Sequence, residues 1–264
     1  MKPAPGVLTI VATPIGNLAD SSPRSIDALR AADLIACEDT RTSRTLLAHH
    51  GVSTPVVALH EHNEKTQAKK LLAMLQEGKR IALISDAGTP GVSDPGALLV
   101  EAAHQAGIRV EPLPGPSAAI AAWSAAGFAS KGFRFTGFLK DEKELKDQDP
   151  VILYEAPHRV QKTVKNLLVR FGPEREIVIA RELTKKFEEV ARMRLGDAPA
   201  WLHGPHREEG EFVLVLGPGP AQKADAAEGA RVRDILAKEM SPSDAARLAA
   251  KITGVPRNAL YKPK

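Results

Sequence analysis

Five short apolar runs, each set off by turn residues and followed by a helix-like stretch, constrain this chain more than any other feature. They lie at residues 8–12, 34–37, 56–59, 81–84 and 108–113. Ser22 and Pro23 read as the N-cap and first residue of a helix running to Leu29. Residues 40–50 read as a helix closed by Gly51, and 63–77 carry Ala68, Leu71, Leu72 and Leu75 at helical spacing before Gly78. Residues 95–105 form a fourth helix with Gly107 as its stop. Strands alternating with such helices predict an α/β domain built on a mainly parallel sheet.

Pro112-Leu113-Pro114-Gly115-Pro116 ends that pattern, because three prolines in five residues continue neither sheet nor helix. Ser117 then reads as the cap of a small-residue helix over 118–126. The second half is richer in strands, predicted at 134–138, 151–154, 177–181 and 211–216, with a helix over 157–171. Gly217-Pro218-Gly219-Pro220 reads as a linker. The expected division is an N-terminal α/β domain (1–114), a second α/β domain (115–219) and a helical tail (220–264). In the tail, Ser241-Pro242 and Gly254-Val255-Pro256 break a helical pattern, and Ala245, Leu248, Ala249 and Ile252 are predicted to share an apolar face. Such a tail resembles a helix–turn–helix, or a small hairpin that packs on something else.

The net charge of +4 is too mild to identify a partner, but its placement is informative. From Gln222 onward there are nine basic and five acidic side chains, so the tail holds the whole excess. A basic appendage on a neutral body suits contact with a polyanion, although a solvated helical face has the same composition. The lone cysteine, Cys37, permits no intrachain disulfide and suggests a reducing, cytoplasmic home. No apolar run reaches the ~20 residues of a membrane span, and the first residues lack the apolar core of a signal peptide.

Phosphate-loop, paired-cysteine, zinc-protease and hydrolase-elbow signatures are missing, and Thr13-Pro14-Ile15-Gly16-Asn17 is not a dinucleotide fingerprint. The strongest local signal is Ser85-Asp86-Ala87-Gly88-Thr89-Pro90-Gly91-Val92-Ser93-Asp94-Pro95-Gly96, which follows a strand and precedes a helix. Its glycines allow close backbone approach to a ligand, and ligands in open α/β sheets lie beyond the carboxyl ends of strands. Cys37-Glu38-Asp39-Thr40-Arg41 places two carboxylates at another strand end, as base, acceptor or helix cap. His60-Glu61-His62-Asn63-Glu64 has metal-ligand residue types but no third ligand group at a telling spacing, so no metal is expected. Tyr154-Glu155-Ala156-Pro157-His158-Arg159 repeats the strand-to-helix arrangement, with His158 and Arg159 able to meet phosphate. Four such loops divided between two halves suggest convergence on one cleft.

Together with Val11-Ala12-Thr13-Pro14-Ile15-Gly16-Asn17-Leu18 and Pro114-Gly115-Pro116-Ser117-Ala118, these motifs resemble the ribosomal RNA small subunit methyltransferase I family. That family lies within the tetrapyrrole-methylase-like (class III) methyltransferases. The resemblance covers nearly the whole chain and implies two α/β domains with S-adenosylmethionine in the cleft between them. It implies 2′-O-methylation of a cytidine in the decoding region of 16S rRNA, acting on the RNA or the assembled small ribosomal subunit, by a homodimer without a membrane partner. Cofactor contacts carry over onto Asp86, Thr89, Ser117 and Ala118, then onto Ile15, Ala156, Leu183 and Val213, with Gly88 in the same loop. Glu38, Asp39 and His62 are the candidate proton acceptors, and Arg41, Asn63, His158 and Arg159 the candidate RNA contacts. One departure follows Phe138-Leu139, where the family carries a longer basic stretch and this chain has only residues 140–149. Two other readings compete: a methylase of the same fold acting on a tetrapyrrole or other small molecule, and a non-enzymatic nucleic-acid binder built on the tail.

Overall fold

The computed structural model describes residues 6–139, 141–146, 148–219 and 226–261. The termini, Lys140, Asp147 and the end of the expected linker from Pro220 lie outside them. The first half alternates β1 (Val7–Val11), α1 (Pro23–Ala31), β2 (Leu34–Cys37), α2 (Thr40–His49), β3 (Val56–Ala58), α3 (Glu64–Gln76), β4 (Arg80–Leu83), α4 (Ala97–Gln105) and β5 (Arg109–Leu113). The five strands form a parallel sheet in the order β3-β2-β4-β1-β5. Alternate strand residues supply opposite faces. Leu8, Ala36, Ile81 and Leu83 pack with Leu71 and Leu75 of α3 and Leu99 of α4. Val11, Ile35, Cys37 and Ala82 pack with Leu29 of α1 and Leu47 of α2. Helices on both faces are what near-continuous apolar strands require.

Local chemistry sets the helix ends. The Ser22 hydroxyl accepts the Ser25 N–H, as the Ser-Pro signal predicts. α4 starts at Ala97, two residues later than expected. The Glu64 carboxylate, from the start of α3, accepts the N–H groups of Gly96 (2.8 Å) and Leu98 (3.1 Å). A cap supplied from another helix is invisible in the local sequence.

The second half contains α5 (Ala118–Ala126), β6 (Arg134–Phe138), β7 (Val151–Glu155), α6 (Pro157–Phe171), β8 (Glu176–Arg181), β9 (Glu189–Arg194), α7 (Ala198–Leu202) and β10 (Phe212–Leu216). Its sheet runs β6-β7-β10-β8-β9, with β6 and β7 parallel and the other neighbours antiparallel. α5 covers one face through Ala119, Ala122 and Ala126 against Ile152, Val178 and Val215. α6 and α7 cover the other through Val160, Val164, Leu167 and Leu202. Ser117 occupies the cap position of α5 but makes no side-chain bond to the helix backbone. β9 was not expected, because Glu-Val-Ala-Arg-Met-Arg has no apolar run. It is an edge strand whose pairing with β8 organises it, with Arg192 holding Glu176 across the pair at 3.0 Å.

Residues Met1–Pro218 form one compact unit and Gly219–Lys264 a second. The second contains α8 (Ala226–Leu236), α9 (Pro242–Thr253) and α10 (Arg257–Leu260) around Ala246, Ala249, Val255 and Leu260. Ser241 caps α9 by accepting the Asp244 N–H. The expected apolar face needs correction. Ala245, Ala246 and Ala249 are buried, but Ile252 is 63% exposed. The small residues Ala246 and Ala249 pack with Val255, Leu260, Val232 and Leu236, and that contact, not side-chain size, selects the buried face.

Candidate active site

A cavity of about 370 Å³ opens between the two sheets of the larger unit, within the range of small-molecule sites. The Ser85–Gly96 loop forms one wall. Thr13 pins it to the turn after β1: the Thr13 N–H donates to Gly88 O (2.8 Å), the Gly88 N–H to Thr13 O (3.0 Å), and the Thr13 hydroxyl to Ser85 O (3.0 Å). Gly88 has φ +83°, which an L side chain adopts only with strain. The Thr89 hydroxyl donates to Pro116 O (2.9 Å), tying the loop to the entry of α5. Across the cleft, Gly137 (φ +59°) lets β6 approach the loop, since a Cβ there would lie 2.5 Å from Ser93 Oγ.

Ile15, Asp86, Gly88, Thr89, Ala118, Ala156, Leu183 and Val213 all line this cavity. They come from both halves of the chain, and the fold brings them together. Ser117 is not in the wall; it lies beside Tyr154, whose hydroxyl accepts the Ala119 N–H (3.3 Å).

The proton-acceptor candidates fare unevenly. Asp39 caps α2 by accepting the Arg41 N–H (2.7 Å) and binds the Arg41 guanidinium (2.9 Å), which holds its carboxyl down at about 2. A carboxylate so occupied is a poor base. His62 is exposed beside His60 and lines neither this cavity nor the groove next to it. Glu38 stands near the site without lining it. Burial raises its pKa, and the neighbouring Asp86 charge adds to this.

The RNA candidates also divide. His158 is exposed on the first turn of α6. Arg41 is exposed but paired with Asp39. Asn63 holds a turn, accepting the His60 N–H (2.9 Å) and donating to Ala58 O (3.1 Å). Arg159 reaches inward to Glu155 (3.1 Å) and donates to Leu139 O (2.7 Å). Asn63 and Arg159 thus have structural duties that the sequence did not reveal. Among the described residues no group of three or more His, Cys, Asp or Glu is placed to hold a metal.

Asp94, Glu155, Tyr154, Phe138 and Glu211 also line the cavity and were not singled out as site residues. Position within the quoted motifs was the only available signal for the first three. Burial pushes Asp94 up to about 6, aided by the charges of Glu38 and Asp86 and opposed by a bond from Ser85. The native state therefore holds this proton more tightly than the unfolded chain does. The stability Asp94 contributes is complete below pH ~4 and is lost as pH rises through about 6. Asp94→Asn should melt higher than the parent at pH 7.5, by about 1–2 kcal/mol after solvent screening. The difference should vanish near pH 4; thermal unfolding at both pH values without cofactor checks this.

Two layered α/β halves around one cleft define a methylase fold. The Tetrapyrrole (Corrin/Porphyrin) Methylases family matches residues 7–199, and the RsmI C-terminal HTH domain family matches residues 223–262. Among solved structures, diphthine synthase aligns with TM-score 0.63 at 17% identity, over 80% of this chain and 90% of its own. A uroporphyrin-III C-methyltransferase from Thermus thermophilus complexed with S-adenyl homocysteine aligns with TM-score 0.57 at 17% identity, over 80% and 97%. Curated relatives are much nearer. Ribosomal RNA small subunit methyltransferase I of Xylella fastidiosa (strain Temecula1) is 47% identical, covering 97% of this chain and 98% of its own length. Its counterpart from Escherichia coli O157:H7 is 46% identical, covering 97% and 94%. The chain belongs to the ribosomal RNA small subunit methyltransferase I family.

Proposed function

We propose that this methyltransferase modifies small-subunit ribosomal RNA, placing a methyl group on a ribose 2′-hydroxyl of a cytidine in the decoding region. The observation that carries this reading is the span of the likeness. The rRNA enzymes match 97% of the chain, whereas the diphthine synthase and uroporphyrin-III methyltransferase structures match 80%. A small-molecule methylase has no evident need of a basic helical tail.

S-adenosylmethionine is the methyl donor, and the residues of the cavity suit it. Ile15, Val92, Leu183 and Val213 offer apolar walls to the adenosine, and Asp86 offers a carboxylate to the cationic end. When bound, it supplies an electrophilic methyl carbon to the acceptor oxygen. The chain's task is to hold that hydroxyl in line and accept its proton. Asp39 is already engaged by Arg41, so Glu38 and Asp94 are the carboxylates available. Asp94, at about 6, is best matched to a base working near neutrality.

The deciding experiment offers the protein methyl-labelled donor and under-methylated small ribosomal subunits, with naked 16S rRNA alongside. The expected product resists alkaline cleavage at one nucleotide, as a 2′-O-methyl group requires. Label in a base, or in no RNA, defeats the reading.

The tail supplies part of the RNA affinity in this reading. Deleting residues 222–264 removes nine basic side chains and should weaken binding and flatten its salt dependence. Affinity for S-adenosylmethionine should be unchanged; titrations at several salt concentrations test both. Among the described residues no helix is long and apolar enough to cross a membrane. A cytoplasmic homodimer completes the reading, supported by the family resemblance.

A further inference from the structure

Beside the cofactor cavity lies a second groove of about 460 Å³. The two share Ile15, Asp86, Ala87 and Glu211 as a common wall. The far side is the hydroxyl-bearing face of α2, with Thr42, Ser43 and Thr45, and Lys185 closes one end. Thr42 and Thr45 are exposed, three residues apart on one helix face. Ser43 is only 3% exposed and turns its hydroxyl to the buried Cys37 thiol, not to the open groove. The groove therefore presents the Thr42 and Thr45 hydroxyls to an occupant.

The charge of the groove narrows what it takes. Lys185 Nζ is bound by Glu182 (2.9 Å) and Glu211 (3.0 Å), so its charge is already balanced. Asp86 adds a carboxylate at the junction, with one oxygen accepting the Asp39 N–H (3.0 Å). Asp39 caps the start of α2, which leaves no open anion site there. A phosphate finds no unbalanced cation among these residues. An uncharged, hydroxyl-rich group with amide-like edges does find partners, and the methyl groups of Thr42 and Thr45 with Leu46 and Pro14 offer it apolar contact.

We propose that this groove seats the sugar and base of the acceptor nucleotide, with the reacting oxygen at the wall formed by Ile15, Asp86 and Ala87. This inference rests on the RNA-methylating reading above. Thr42 and Thr45 bind the nucleoside, and its phosphates lie outside the groove.

The test uses the full chain and three substitutions, Thr42→Val, Thr45→Val and Thr45→Trp. The threonines are exposed, so folding should be retained, and melting curves verify it. S-adenosylmethionine binding is measured by calorimetry, and KM and kcat with under-methylated small subunits. The valine variants should each raise KM for the subunits about three- to tenfold, as loss of one hydrogen bond implies. Thr45→Trp should block transfer, and all three should bind S-adenosylmethionine within about twofold of the parent. Unchanged KM in the valine variants, or transfer surviving in Thr45→Trp, overturns the inference. So does loss of S-adenosylmethionine affinity, which would make the groove part of the cofactor site. An unaltered protein that methylates no RNA overturns the underlying reading itself, and that is seen before any variant is made.

Discussion

Ala118→Trp is expected to weaken S-adenosylmethionine binding about 100-fold or more while leaving the fold intact. Ala118 heads α5 and lines the cavity, whereas Ala119, Ala122 and Ala126 form the helix face packed on the second sheet. An indole at position 118 extends into a space of only about 370 Å³. The ligand then loses its room, and about 3 kcal/mol of binding corresponds to the stated factor. Ala118 is only partly buried, at the margin of that packed face, so the melting temperature without ligand should move by only about 2 °C. Calorimetry with S-adenosylmethionine and a melting curve give both numbers. Retained affinity would move the donor site elsewhere and remove the basis for the assigned chemistry.

The second large effect concerns Glu155. Its side chain is fully buried at the end of β7, and three donors converge on it: the Ala156 N–H (2.8 Å), the Thr163 hydroxyl (2.5 Å) and Arg159 Nε (3.1 Å). Glu155→Ala leaves all three without their acceptor and opens a void beneath the cavity floor. Breaking a buried charged network of this kind costs about 3 kcal/mol, or roughly 6–12 °C in melting temperature for a domain this size. Glu155→Gln keeps the shape and one acceptor, so it should lose less than half as much. S-adenosylmethionine affinity should fall in the alanine variant, since Glu155, Ala156 and Pro157 all face the cavity. Denaturant unfolding of both variants, with equal slopes, tests the ranking.

The contrast between Asp39 and Asp94 shows how far sequence reasoning about the site reached. Both carboxylates sit in loops at strand ends, and only Asp39 looked chemically poised. Its neighbour two residues on, Arg41, neutralises it through a local bond. Asp94 looked like part of a turn. Burial in the cleft, with the charges of Glu38 and Asp86 arriving from the ends of β2 and β4, pushes its carboxyl up to about 6. Arg159 likewise read as a surface cation until the fold showed Glu155 buried beneath it.

The strands and most helices were legible because hydrophobic periodicity, proline and glycine act through adjacent residues, and parallel strands buried on both faces read as unbroken apolar runs. Six of the eight expected residues found on the cavity wall lay in the quoted motifs, and Leu183 and Val213 did not. The sequence alone determined the α/β class, the α1 and α9 caps and the basic tail. Only the tertiary structure decided where α4 begins, that Glu189–Arg194 pairs as an edge strand, which face of α9 is buried and that burial pushes Asp94 up to about 6. Each of these depends on a partner from another element: a carboxylate from α3, a strand already in place, apolar side chains of α8, or charges from two strand ends. Such partners have no fixed spacing along the chain and exist only once it has folded.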